Sequence, residues 1–361
     1  MAAAAIAEVA RLDAMEGWPA PEEQPDWYGS PAPEQALLEA YRSGRMHHAW
    51  LLGGPKGIGK ATLVYRFARF VLAHPDPSAA AVAAAADLSV PPESPAFRKV
   101  ANRAHPNLLI LERPFDEQTG RFRTQLTVEE IRRTVGFFGS TSGEAGWRIA
   151  VVDPADDLNP SSANALLKVL EEPPARSLFL IVGHAPGRLL PTIRSRCRRL
   201  DIAPLPPETI VAALAAHGVQ SDDLPLVARL AEGSLRRAIL LAEGEGIATY
   251  RALTRLLARL PDLDIAAAHA FADRVSGRRD DDAWVSFRNM LAAWLDRRVR
   301  GLPEPDSDAR LPKIAASLPL ERWAQVWETL RRSTEDTDEY NLDRKRSVLS
   351  ILMALARATR M

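Results

Sequence analysis

The sequence predicts an α/β fold: a parallel sheet with helices on both faces, then a small helical segment and an all-helical domain. Three observations predict it. Short apolar runs alternate with helical patterns through the first half of the chain. A glycine-rich turn, GGPKGIGKAT at residues 53–62, joins the first apolar run to a helix. Beyond about residue 203 the apolar runs stop and only helical periodicity remains.

Taken in order, residues 1–30 are rich in Ala, Pro and Glu and are expected to be a poorly ordered extension. Residues 34–43 read as a helix with Leu37, Leu38 and Tyr41 on one face, and Ala49 to Leu52 as a short buried strand. The helix after the glycine turn carries Leu63, Phe67, Phe70 and Val71 on one stripe. Residues 74–96, low in complexity and bounded by prolines, read as an exposed Ala/Pro-rich insertion. Residues 107–112 (NLLILE) read as a strand. Thr127 and Glu130 form a capping-box pair for a helix with Ile131, Val135 and Phe138 inward. WRIAVVD is a second buried strand after the turn. Asn159-Pro160 opens the next helix and Pro173-Pro174 stops it. SLFLIVG is the third.

The sheet domain is placed at 31–203, short helices at 204–246, and a helical domain at 247–361 divided by the loop GLPEPDSD, residues 301–308. In the last part, Trp323, Val326, Trp327 and Leu330 share one helical face, and Val348, Leu349, Leu352 and Leu355 another. Trp294, Trp323 and Trp327 read equally as core or as an assembly face.

Composition narrows the function. Lys+Arg and Asp+Glu both number 46, which argues against a chain that grips nucleic acid by one dominant basic surface. The single cysteine, Cys197, rules out an internal disulfide and a Cys-rich zinc site. The histidines show no metal-ligand spacing, so no metal is expected. No apolar run is long enough to span a membrane, and the N-terminus is a poor signal peptide. A cytoplasmic location is expected.

The glycine turn carries the first chemistry. Gly54, Gly59 and Lys60 satisfy G-x-x-x-x-G-K. Glycines such as these and Gly57 let backbone N–H groups close around phosphates, and Lys60 would reach the outer phosphates. The Ser or Thr that normally ligates Mg²⁺ is missing, and Ala61 stands there. Thr62 does not substitute, because one residue along a helix turns it by roughly 100°. The second piece is IAVVDPADDLN: Asp153 ends an apolar strand, where a Mg²⁺-holding acid belongs, and Pro154 follows in place of a Glu that would polarise water. Asp156 and Asp157 read as turn or capping residues. The third and fourth pieces are LLPTIRSRC (189–197) and GSLRRA, where Arg236 opens a helix; each alone reads as a basic surface segment.

In this order and at these spacings, GPKGIGKATL, VVDPADDLNPSSANALLKVLEEPP, LLPTIRSRC and GSLRRA resemble the bacterial clamp-loader subunits of the AAA+ superfamily. The resemblance is good over residues 34 to about 245. It implies a RecA-like AAA+ domain, a helical lid and a helical collar. It implies that Arg196 matches an arginine finger acting in trans on a neighbour's ATP, and Arg236 the sensor arginine of the lid. His184 matches the first sensor loosely. The nucleotide-facing set, working or vestigial, is Gly54, Gly57, Gly59, Lys60, Thr62, Asp153 and Arg236. ATPase members keep Ser/Thr and Glu where this chain has Ala61 and Pro154, so no intrinsic hydrolysis and no required cofactor are expected. ATP/Mg binding is left open. A four-cysteine zinc module of some members is replaced here by the 74–96 insertion. Implied partners are tau/gamma ATPase subunits, a clamp-opening delta subunit, and the sliding clamp and primed DNA through the complex. A catalytic motor subunit of the same family and a stand-alone P-loop ATPase or helicase are the alternatives.

Overall fold

A computed structural model describes residues 11, 14–15, 17–139, 146–277, 281–302, 319–340 and 342–360. The first ten residues and most of the 301–308 loop lie outside them. The chain forms two compact units, residues 1–205 and 206–361.

The first unit has strands β1 (Ala49–Gly53), β2 (Leu108–Leu111), β3 (Phe115–Asp116), β4 (Arg121–Phe122), β5 (Arg148–Val152), β6 (Ser177–Gly183) and β7 (Arg198–Asp201). Five form a parallel sheet in the order β2-β5-β6-β1-β7. Its helices are α1 (Pro31–Arg42), α2 (Lys60–Ala73), α3 (Ala80–Ala84), α4 (Pro95–Ala101), α5 (Val128–Gly139), α6 (Pro160–Glu171) and α7 (Pro191–Arg196). Alternate strand residues feed two cores, as the two-residue period of a strand requires. Trp50, Leu52, Ile149, Val151, Leu178 and Leu180 face α1 and α2. Ala49, Leu51, Ala150, Val152, Phe179 and Ile181 pack with Ile131 of α5 and Leu166 and Leu170 of α6. The sheet is thus covered on both faces, the arrangement that makes each strand read as a continuous apolar run.

Local signals set the helix ends. The Asn159 side chain accepts from Ser162 N at 2.9 Å, Pro160 takes the first helical position, and Pro173 follows the last turn of α6. Residues 131–138 depart from the expected pattern. Val135 is 67% exposed and Thr134 is buried in its place, its hydroxyl bonded to Ile131 O at 2.6 Å. The helix turns Ile131, Thr134 and Phe138 toward the sheet, with the Phe138 ring 5.1 Å from that of Phe179.

Two stretches read as loose or exposed are packed where they are described. Glu22 is fully buried and accepts from Arg103 Nε at 2.6 Å. Arg69 of α2 donates to Glu22 O and Gln24 O at 3.1 and 2.7 Å, and Arg66 donates to Pro25 O. Buried guanidiniums need acceptors, and the backbone of residues 22–25 supplies them. In the 74–96 insertion, Val82, Leu88 and Val90 enter the core, and Arg42 Nε donates to Val82 O at 3.0 Å. Glu34 Oε1 of α1 joins the insertion to α2: it accepts from Arg66 Nη2 at 2.7 Å and from Leu88 N at 3.1 Å.

The second unit is helical: α8 (Pro207–Ala216), α9 (Leu224–Leu230), α10 (Leu235–Glu243), α11 (Gly246–Ala258), α12 (Ile265–Val275), α13 (Asp281–Arg300), α14 (Leu320–Glu339) and α15 (Arg344–Thr359). Trp294 and Trp323 are core residues, packed edge to face with ring centroids 5.7 Å apart. Trp327 is 40% exposed and is the one of the three left to a surface. No helix among the described residues is long and apolar enough to cross a membrane.

Replacing Glu34 with Ala should cost about 3 kcal/mol or more, because Arg66 then keeps its charge with a carbonyl as its partner in place of a carboxylate. Val135→Lys should change stability by less than about 0.5 kcal/mol. Urea midpoints of the full chain, compared with the parent, check both.

Candidate functional site: the glycine loop and the arginine segment

The loop leaves β1, which lies between β6 and β7, and leads into α2. Ligands of open parallel sheets collect at the carboxyl ends of the strands, which is where this loop stands. Gly54 has φ +144, and a Cβ there would lie 2.5 Å from Ile202 O. Gly57 and Gly59 have φ +82 and +92, backbone that glycine adopts without strain. The ring of Trp27 lies over Gly59, 3.2 Å from where a Cβ would be.

Lys60 is the first residue of α2 and is buried. Its Nζ donates to Gly54 O at 2.6 Å and Pro55 O at 2.5 Å, so the amine caps its own loop. Burial pulls its pKa down to about 8; the carboxylates of Asp153 and Asp156 oppose that shift, and Lys56 adds to it. The Ala61 methyl packs on the apolar core and offers no ligand oxygen. Thr62 is half-buried one residue further along.

Asp153 leaves the end of β5, its N–H donating to Leu111 O at 3.0 Å. Pro154, buried behind it, has no acid–base group. The donor set therefore lacks both the hydroxyl that would ligate Mg²⁺ and a base next to Asp153. Among the described residues no group of three or more His, Cys, Asp or Glu could hold a metal. Asp156 does more than shape a turn. Its carboxylate accepts from His184 N at 2.5 Å and Ala185 N at 2.7 Å, tying the exit of β5 to that of β6. Sequence reasoning missed this role because the partners lie 28 and 29 residues away. Asp157 pairs with Arg113 at 3.0 Å.

The arginine segment forms α7 and β7. Arg194 is exposed. Arg196 ends α7 and donates from Nη2 to Glu171 Oε1 at 2.7 Å. The Arg198 guanidinium lies 4.8 Å from the centre of the Trp50 ring, and Arg199 pairs with Asp201 at 2.7 Å. The loop, Lys60 and Asp153 thus form one electrostatic group, while Arg196 has its own carboxylate. Arg236 belongs to the second unit, half-buried in the first turn of α10, whose N-cap is the Ser234 hydroxyl.

Residues 29–206 match the profile of the family described as DNA polymerase III, delta subunit. DNA polymerase III subunit delta′ of Pseudomonas aeruginosa is 36% identical over 176 residues, 48% of this chain and 49% of that protein. Subunit delta′ of Escherichia coli is 30% identical over 234 residues, 64% of this chain and 66% of that one. DNA polymerase III subunit gamma/tau of Mycobacterium tuberculosis is 31% identical over 333 residues, 87% of this chain and 51% of that one. The matches span from about half to just under two-thirds of these relatives' length. A five-stranded parallel sheet with a glycine loop between β1 and α2 makes the first unit an α/β domain of the P-loop kind. Residues 29–206, just under half of the chain, are similar to the DNA polymerase III delta and delta′ subunits that these comparisons name.

The Lys60 pKa gives a signed prediction. Unfolded lysine titrates near 10.4, so between about pH 8 and 10.4 the unfolded chain binds more protons at this position. Lys60 therefore adds stability as pH rises through that window, and its full penalty is present below about pH 8. Denaturant unfolding across the window should show this rise in the parent and lose it in Lys60→Met.

Proposed function

We propose that this chain is the delta′-type subunit of a bacterial clamp loader: a non-hydrolysing seat that offers Arg196 to the ATP of a neighbouring subunit. The observation that carries this reading is the pair of residues at the loop. Ala61, in the first turn of α2, and Pro154, just past β5, stand where magnesium and water would have to be handled, beside a loop whose glycine geometry is kept. Lys60, turned onto Gly54 O and Pro55 O, supports the same reading. The partners are gamma/tau ATPase subunits and a clamp-opening delta subunit, and through them the sliding clamp and primed DNA. The chain needs no cofactor of its own.

Arginine suits the role given to Arg196. It stays charged and presents several N–H donors in a plane, matching the oxygens of a phosphoryl group in transfer. A finger lent by a neighbour makes hydrolysis depend on a closed ring. A motor-subunit reading draws support from the gamma/tau relative, which aligns over 87% of this chain. The residues at 61 and 154 oppose it. A helicase reading is opposed by the equal counts of basic and acidic residues.

Hydrolysis separates these readings. The purified chain alone should turn over ATP well below the order of 1 s⁻¹ that ordinary enzymes reach, with or without DNA. In a loader assembled with its ATPase subunits, Arg196→Ala should cut clamp- and DNA-stimulated hydrolysis while leaving assembly intact. The loss should fall short of the roughly three to five decades that a single finger is worth, because one site of the ring loses its arginine. Arg194→Ala and Arg198→Ala should hydrolyse and load clamps like the parent. If either of them is the crippled variant and Arg196→Ala is not, the finger is misassigned.

A further inference from the structure

Helices α6 and α7 each end on a charged residue, Glu171 and Arg196, and these two side chains meet. Arg196 is held at two points. Nη2 donates to Glu171 Oε1 at 2.7 Å, and Nη1 donates to Thr192 O at 3.1 Å. Thr192 O lies in the first turn of α7 and also accepts from the Ser195 hydroxyl at 3.0 Å. The anchors belong to different helices, so together they fix the plane of the guanidinium and not merely its position.

The pair is open to water, with 34% of the Arg196 side chain and 49% of the Glu171 side chain exposed. Ion pairs this exposed contribute little to stability. Their geometric effect is larger. A guanidinium has five N–H donors, and the two anchors take one from each Nη group. The Nε–H and the second hydrogen of each Nη stay available. A free arginine must lose side-chain rotamers when it engages an anion, and one already held loses fewer. Donors set in place before charge develops are the ones that favour a transition state.

The geometry points to Glu171 as a positioning residue for Arg196, holding its guanidinium ready for the terminal phosphoryl group of a nucleoside triphosphate carried by a neighbouring chain. This rests on the finger reading above. Glu171 touches Arg196 and not the nucleotide, so its effect passes entirely through the arginine. Glu172, next in sequence and also exposed, makes no ion pair with Arg196 and serves as the control.

The test uses the full chain in the assembled loader, with clamp- and DNA-stimulated ATP hydrolysis as the readout and gel filtration as the check on assembly. Glu171→Ala should lower kcat about three- to ten-fold with KM within about two-fold, the pattern of an interaction realised in the transition state. Glu171→Gln, which keeps an acceptor oxygen, should recover most of the loss, and Glu172→Ala should match the parent. In an Arg196→Ala background, Glu171→Ala should have no further effect, since residues acting as one unit are not additive. A parent-like Glu171→Ala beside a crippled Arg196→Ala overturns this inference and leaves the finger reading standing. A parent-like Arg196→Ala overturns both. Additive losses in the double variant place the action of Glu171 elsewhere and overturn it too. Should Glu171→Ala and Glu171→Lys both fail to assemble while Glu171→Gln assembles, the residue serves assembly and the inference is again overturned.

Discussion

The exit of β1 lies so close to β7 that only glycine fits between them, and the rest of the site depends on that contact. Gly53 O accepts from Ile202 N at 2.8 Å. A Cβ on Gly53 would lie 2.7 Å from Pro186 and 2.8 Å from Asp201, and one on Gly54 would lie 2.5 Å from Ile202 O. The root of the glycine loop is therefore wedged between β7 and the turn after β6. Because α7 runs directly into β7, the segment bearing Arg196 is braced against the same two residues. The loop and the arginine segment are parts of one mechanical piece, although their side chains serve separate electrostatic groups.

A second constraint is the burial of charge along α2. Beyond Lys60, Arg66 and Arg69 are the charged residues that α2 buries, among Leu63, Val64, Tyr65, Phe67, Ala68, Phe70 and Val71. A buried guanidinium without partners would be very costly. The chain answers with Glu34, with the carbonyls of residues 22–25, and with Leu88 N sharing the same carboxylate oxygen. Segments distant in sequence are thereby fastened to the helix that begins at Lys60. Trp27 follows directly from that fastening and comes to rest over Gly59.

Much of this architecture was legible in the sequence because its signals are local. The buried strands announce themselves as apolar runs, and α6 is bracketed by Asn159-Pro160 and Pro173-Pro174. The glycine loop is recognisable because its φ values need glycine at set positions. What escaped notice depends on distant partners or on edges. β7 reads RRLD because it is an edge strand: Arg198 lies on the Trp50 ring, Arg199 pairs with Asp201, and Leu200 is its one apolar residue on the core, so no apolar alternation marks it. The 22–25 stretch looks loose on composition, since the arginines that hold it stand more than forty residues on. The short β3–β4 hairpin has two residues per strand, too few to set a period. Val135 fits the apolar stripe in spacing but not in orientation, a matter of how α5 rolls on the sheet.

The residues at 61 and 154 also bear on how such a chain can change over generations. A hydroxyl introduced at 61 would offer a metal ligand to a site with no carboxylate beside Asp153. A carboxylate introduced at 154 would enter a buried position, at the cost of desolvation, with no ligand at 61 to make it useful. Neither substitution alone completes the site, so selection has no single step to retain. The glycines of the loop stand under a different pressure, since at Gly53 and Gly54 any side chain collides with β7 or with Pro186. The root of the loop is therefore constrained as a joint between strands, whatever its chemistry.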